Sequence, residues 1–261
     1  MSGSFYPGER AALTRLVDAL LSEASARAGD GPLPKALVVP HAGYLYSGPV
    51  AAHAYARLRK HGETVERVVL LGPAHRVAVR GLALPAARRF ATPLGTVDVD
   101  LEAAAASMRL PQVGASAAAH AREHSIEVQL PFLQRTLKSF RVLPFAVGDA
   151  TPPEVAEVIE LLWGGAETLF VISTDLSHYL PYDLASATDR RTVAAILALD
   201  GVPIGDSEAC GSTPLRGLMQ AARAHGLSPQ LLDLRNSGDT AGDRREVVGY
   251  AAVAFGDYAS V

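Results

Sequence analysis

The chain has 261 residues, 49% of them apolar and 20% charged, with 24 Lys and Arg against 27 Asp and Glu for a net charge of −3. That balance describes a globular chain and excludes disordered, collagenous and coiled-coil classes, and the even spread of charge leaves no footprint for nucleic acid or an anionic membrane. The single cysteine, Cys210, cannot close an intrachain disulfide; residues 1–9 have neither the charged nor the apolar region of a secretory leader, and no apolar run nears the roughly 20 residues of a membrane helix, so a cytoplasmic protein is expected.

Along the chain, Leu13, Leu16, Val17, Leu20 and Leu21 share one face of a 3.6-residue period and predict a helix lying on a sheet. Runs rich in Val, Leu, Ile and Phe predict strands over 36–39, 67–71, 141–147, 168–173 and 247–255. Between residues 80 and 100, Leu82, Leu84, Val97 and Val99 alternate around Pro85, Pro93 and Gly95, which predicts a hairpin-like excursion from the sheet. Ile126, Leu130, Leu133 and Leu137 have helical spacing, but Pro131 among them either kinks the helix or starts a shorter one. Thr151-Pro152-Pro153-Glu154 is a capping box with Pro at the first helical position, followed by Val155, Val158, Ile159 and Leu162 on one face. Strands alternating with helices and no long linker read as one α/β domain over 1–261, with a central, mostly parallel mixed sheet flanked by helices.

Ligands of open α/β sheets bind beyond the carboxyl ends of the strands. Three predicted strands are followed there by histidine: Pro40-His41, Gly72-Pro73-Ala74-His75, and Ser173-Thr174-Asp175-Leu176-Ser177-His178. With eight histidines in the chain, one such placement is unremarkable, but three at equivalent positions point to a shared site. Asp175 is three residues before His178 and is placed to orient its ring; the plainer reading of Asp175 is a helix cap. His124, ahead of the 126–137 stripe, is either a further polar group of the site or a surface residue. His53, His61, His120 and His225 lie among small or charged residues and are expected to be solvated. Cys210 precedes Thr213-Pro214, which reads as a helix cap and first turn. A thiol there is either a thiolate, competent to bind metal or attack carbon, or a small buried hydrophobe. Two histidines and an anionic third ligand suit a first-row metal. The sequence contains no HExxH, CxxC, GxSxG or Walker A motif and no GxGxxG at a strand–helix turn, which argues against zincins, zinc ribbons, serine hydrolases and nucleotide binders.

Six motifs in order, from Ser4-Phe5-Tyr6-Pro7 through Pro40-His41-Ala42-Gly43-Tyr44, Gly72-Pro73-Ala74-His75, residues 123–131, Ser173-Thr174-Asp175-Leu176-Ser177-His178 and Ala209-Cys210-Gly211, together with the 236–239 and 248–252 segments, resemble the Memo family, whose microbial members are also called AmmeMemoRadiSam system protein B. The similarity runs from residue 4 to about 256. It implies a fold akin to the class III extradiol dioxygenases, which hold Fe(II) with two His and one Glu. By that analogy His41 and His75 are metal ligands, Cys210 stands where a glutamate would be, and His178 is the acid/base beside the substrate. A thiolate is softer than a carboxylate and favours Cu(I), Zn or thiolate-bound Fe, so the activity does not carry over with the fold. The resemblance further implies functional association with AMMECR-type and radical SAM proteins.

Three functions fit these residues. One is a metalloprotein with Fe(II), or else Cu or Zn, at His41, His75 and Cys210 and an oxygenase-like or other redox reaction on an unidentified small molecule, with His178, Asp175 and His124 as catalytic candidates. Another is a metal-free thiol hydrolase or transferase with Cys210 as nucleophile, His178 or His124 as base and Asp175 as orienter. The third is a binding module without turnover.

Overall fold

The structure is a computed structural model that describes residues 1–27 and 31–258. Its strands are β1 (Ala36–Val39), β2 (Arg67–Pro73), β3 (Leu82–Leu84), β4 (Arg89–Thr92), β5 (Gly95–Asp98), β6 (Val113–Ala115), β7 (Arg141–Val147), β8 (Thr168–Ser173), β9 (His178–Leu180), β10 (Ser228–Asn236) and β11 (Val247–Gly256). The helices are α1 (Arg10–Arg27), α2 (Gly48–Ala56), α3 (Leu101–Ser107), α4 (Ala117–Ala121), α5 (His124–Glu127), α6 (Leu130–Thr136), α7 (Pro152–Leu161), α8 (Tyr182–Leu197), α9 (Ser212–Ala224) and α10 (Ser237–Thr240).

One nine-stranded sheet runs in the order β10-β11-β1-β8-β2-β7-β3-β6, with β9 attached to β11. The four central strands, β1, β8, β2 and β7, are mutually parallel, and antiparallel pairs join β11 to β1 and β3 to β7. Parallel strands covered on both faces should be apolar throughout, and β1 and β8 are buried at every position. Their side chains alternate between two cores. Leu37, Val39, Val68, Leu70, Leu169 and Val171 face one side with α1, α2 and α6. Ala36, Val38, Val69, Leu71, Phe170 and Ile172 face the other with α7, α8 and α9. A period of two thus makes a three-layer α/β/α arrangement, with Leu13, Val17 and Leu21 of α1 in the first core as their spacing predicts.

Expectation and structure part at a few places. The excursion after residue 80 divides: Leu82 and Leu84 stay in the main sheet as β3, and only β4 and β5 form a separate hairpin, turned by Gly95 at φ +136°. Pro131 starts a second helix instead of kinking one, because it falls in the first turn of α6, where the amide it lacks would have no partner. The edge strand β10 has only partly buried side chains over most of its length, so it carries little of the apolar pattern that reveals a strand.

The α7 capping box forms as predicted: Thr151 Oγ1 accepts from the Glu154 amide, and the Glu154 carboxylate accepts from the Thr151 amide at 2.7 Å. Thr151→Ala should lower stability by about 1 kcal/mol in urea unfolding, leaving the sheet-end chemistry untouched.

Candidate metal centre

The strand order places three chain segments side by side. Because β8 lies between β1 and β2, the residues that follow these strands, His41, Asp175 and His75, leave the sheet at the same edge. Helix α5 closes on them from one side. It approaches β2 so closely that a Cβ at Gly72 would lie 2.7 Å from Ser125 Oγ, which a glycine avoids.

The result is a group of three imidazoles, His41, His75 and His124, whose ligand nitrogens all lie within 4.8 Å of one another. The His75 and His124 rings stack at 4.8 Å, and each lies 5.2 Å from His41. Phe5 stacks on His124 from the outside at 4.6 Å.

Hydrogen bonds fix which nitrogen of His41 is free. Gln129 Nε2 faces the Pro40 carbonyl at 3.0 Å, which only accepts, so the amide orientation is determined. The same Nε2 donates to Ser173 Oγ at 2.9 Å, and that hydroxyl spends its one proton on the Ser125 carbonyl at 2.6 Å. His41 Nδ1, 2.9 Å from Ser173 Oγ, must therefore be the donor, which leaves Nε2 to present its lone pair. His75 is fixed by Glu123, whose Oε1 lies 2.9 Å from Nδ1 and whose Oε2 accepts the His75 amide at 2.6 Å. Burial alone would raise the Glu123 carboxyl, but the bonds from the His75 ring and from the Ser125 and His75 amides hold it down at about 2. It is ionised and can only accept, so His75 also carries its proton on Nδ1.

His124 lacks such a partner. Its Nδ1 is buried without a hydrogen bond, 3.3 Å from Glu123 Oε1. Three imidazoles, each offering one nitrogen within ligand distance of the others, make a donor set suited to a first-row metal, and the carboxylate behind His75 and the hydroxyl behind His41 are the supports such ligands need.

Several sequence expectations change here. His124 joins the imidazole group instead of standing apart as an acid or base. Cys210 is outside that group of three, although its Sγ stands 3.4 Å from His41 Nε2, close to the roughly 3.5 Å that separates a sulfur and a nitrogen on one tetrahedral ion. Of the two readings of Cys210, thiolate or small buried hydrophobe, the protonated one fits: burial, then the Asp175 charge, pushes the thiol up to about 12. The helix behind it begins two residues early, capped by Gly211 instead of Thr213, because the chain must pass close to β8. A Cβ at Gly211 would lie 2.7 Å from Thr174 Cβ and 2.9 Å from the Ser173 carbonyl. Asp175 does not hold the His178 ring. Among the described residues its carboxylate takes the His41 amide at 2.7 Å and the Ala42 amide, so it shapes the turn that presents His41. His178 lines the same cavity from β9, half-buried. His120 is not solvated, since Nε2 bonds the Ala83 carbonyl at 2.8 Å, and His53 lies 3.7 Å from Asp233; His225 pairs with Glu160 and stacks on Trp163. Glu123 and Ser173 were not singled out from the sequence, although a carboxylate directly before His124 and a hydroxyl at the end of a buried strand were signals.

Burial, then His75, holds His41 at about 3; burial, then His41, holds His124 at about 4. Both stay neutral in the folded chain while the unfolded chain protonates them below 6.5. The unfolded state then binds more protons, so both rings subtract stability as pH falls from 6.5 toward those values; Asp175, raised by burial, acts in the opposite sense. In urea unfolding of metal-free protein, His124→Asn should flatten the fall in stability between pH 6.5 and 4 relative to the parent chain. An unchanged slope would mean that His124 does not titrate as its burial requires.

A family model described as Memo-like protein matches residues 1–254. A MEMO1 family protein of Methanopyrus kandleri is 38% identical, with 98% of this chain and 97% of the relative aligned. One from Methanothermobacter thermautotrophicus is 36% identical over 96% and 97%, and one from Aquifex aeolicus 34% over 98% and 97%. Among solved structures, an uncharacterized Escherichia coli K12 protein superposes with a TM-score of 0.55 at 15% identity, covering 86% of this chain and all of that one, a likeness of fold alone. With a family model and relatives above 30% identity each spanning nearly its whole length, the chain belongs to the Memo family.

Proposed function

We propose that this chain is a metal-binding protein with a pocket of the non-haem iron dioxygenase kind, which acts on a small molecule. The observation that supports it most is the convergence of three imidazoles, two of them with Nδ1 held from behind by Ser173 and Glu123. His41, His75 and His124 would hold the ion. Fe(II) suits three nitrogen donors with open positions, and Cu or Zn suits them with the thiol of Cys210 recruited as a further donor. Such an ion supplies Lewis acidity at the open positions and, when it is iron or copper, one-electron chemistry.

The chain's own residues would do the rest. Glu123 and Ser173 hold the two strand-end rings in register. Asp175 braces the backbone of His41. His178, on the cavity wall and outside the imidazole group, would carry a proton to or from a bound molecule. A metal-free thiol nucleophile is less well supported, because the Cys210 proton is held by burial and by Asp175, and the imidazole nearest to the sulfur is His41 instead of His178 or His124.

Metal analysis of anaerobically prepared protein should find about one ion per chain, lost in His41→Ala and His75→Ala. His178→Ala should keep the ion while lowering any turnover by roughly 10²–10⁴. Retention of the ion in both strand-end variants would sink the assignment. The thiol has a separate signature: if Cys210 is recruited, Zn(II) binding at pH 7 should release about one proton more from the parent chain than from Cys210→Ser.

A further inference from the structure

The cavity above the imidazoles measures about 650 Å³, and its far wall is unlike its floor. Leu184, Thr188 and Arg191 all line it, and their spacing of four and then three residues puts them on one face of α8. Arg76 lines it as well, directly after His75. Both arginines are exposed, and among the described residues neither forms an ion pair; Arg191 donates only to Thr188 Oγ1 at 3.1 Å.

The carboxylates of the loop that carries Cys210 are turned to that loop's own donors. Asp206 accepts from Ser212 Oγ at 2.6 Å and Glu208 from the Gly205 amide at 2.9 Å, so both shape the loop that carries Cys210. Guanidinium forks without a carboxylate partner, at the mouth of a cavity, are anion receptors by chemistry. Beside them Leu180, Leu184 and Tyr179 make an apolar stretch; Leu184 is 51% exposed and Tyr179 71%, the latter held at φ +56° on the rim. Large apolar side chains kept wet at a strained rim position suit a ligand that covers them.

We propose that the molecule this cavity takes is an organic anion: a small apolar body lying on Leu180, Leu184 and Tyr179, with a carboxylate or phosphate clamped by Arg76 and Arg191. The inference rests on the cavity being the substrate site, but not on the identity or presence of the ion. Arg76 and Arg191 thereby select among substrates, on which the imidazoles of the same cavity act.

The test is calorimetric binding of phenol, benzoate and phenyl phosphate to the whole protein, metal-free and Zn(II)-loaded, at fixed salt. The two anions carry the two candidate groups on the same ring, and phenol carries neither. At least one anion should bind about tenfold more tightly than phenol, and the tighter of the two identifies the group. Arg76→Gln/Arg191→Gln should abolish that preference with melting temperature and metal content unchanged, and Arg191→Lys should restore part of it, since charge survives without the fork. Equal binding of all three probes, absence of binding by both anions, or a preference that persists in the double variant would overturn the proposal. An anion preference that depends on the arginines in a protein that binds no metal would refute the metal reading and leave this one standing. The reverse pattern would do the opposite.

Discussion

The Ser173 hydroxyl has one proton and two lone pairs, and the fold uses all three. It takes a hydrogen bond from Gln129 and gives one to the Ser125 carbonyl, so the only role left for His41 Nδ1 is that of donor. This one atom ties the end of β8 to the α5–α6 turn and to the segment after β1, and it decides the protonation state of a ring too buried to consult solvent. Gln129 is itself anchored at both ends, by Pro40 and by the Tyr55 hydroxyl at 2.9 Å, so the constraint reaches back into the first core. A polar network this deep is tolerable only if every member is satisfied, and around Ser173 every member is.

Against that closed network the unsatisfied Nδ1 of His124 stands out. Glu123 explains why it is left over. Its Oε1 already receives the His75 ring and the Ser125 amide, while His124 Nδ1, though only 3.3 Å away, is not aligned for a hydrogen bond. A carboxylate that serves one ring as a hydrogen-bond acceptor and the next as a mere electrostatic neighbour sets up two imidazoles of different character on a shared support. An ion drawn to the group would meet two tautomerically fixed donors and one whose ring is positioned by stacking between Phe5 and His75.

What could be read from the sequence follows the physics of each element. The buried central strands announce themselves because parallel strands between two helix layers are apolar without interruption, and the positions after them are where side chains of an α/β sheet meet. His41, His75, Asp175 and His178 are legible for that reason. His124 is harder, because it opens the four-residue helix α5, which has no strand before it to mark the place. The protonation of Cys210 is illegible for a different reason: a local pattern of cysteine before a helix suggests a lowered pKa, but burial and a buried carboxylate beside it are properties of the assembled fold. Glu123 is a similar case, since its partners are residues 48 positions earlier and two later, and only the first makes it important.

The neutral thiol also bears on the charge balance of the group. Placing a thiolate next to Asp175 would put two negative charges in one buried corner, and charging His41 and His124 together would put two positive ones in contact, so the folded chain holds Cys210, His41 and His124 as neutral donors. A cation entering such a group displaces at most the proton on sulfur, and none from the two rings whose Nδ1 hydrogens point away from it. The affinity of the site for soft and hard metals should then diverge with pH, because only ions that recruit sulfur compete with that proton. Selectivity would thus reside in a residue that touches the imidazole group at one point, His41 Nε2, while the imidazoles supply affinity common to the first-row ions.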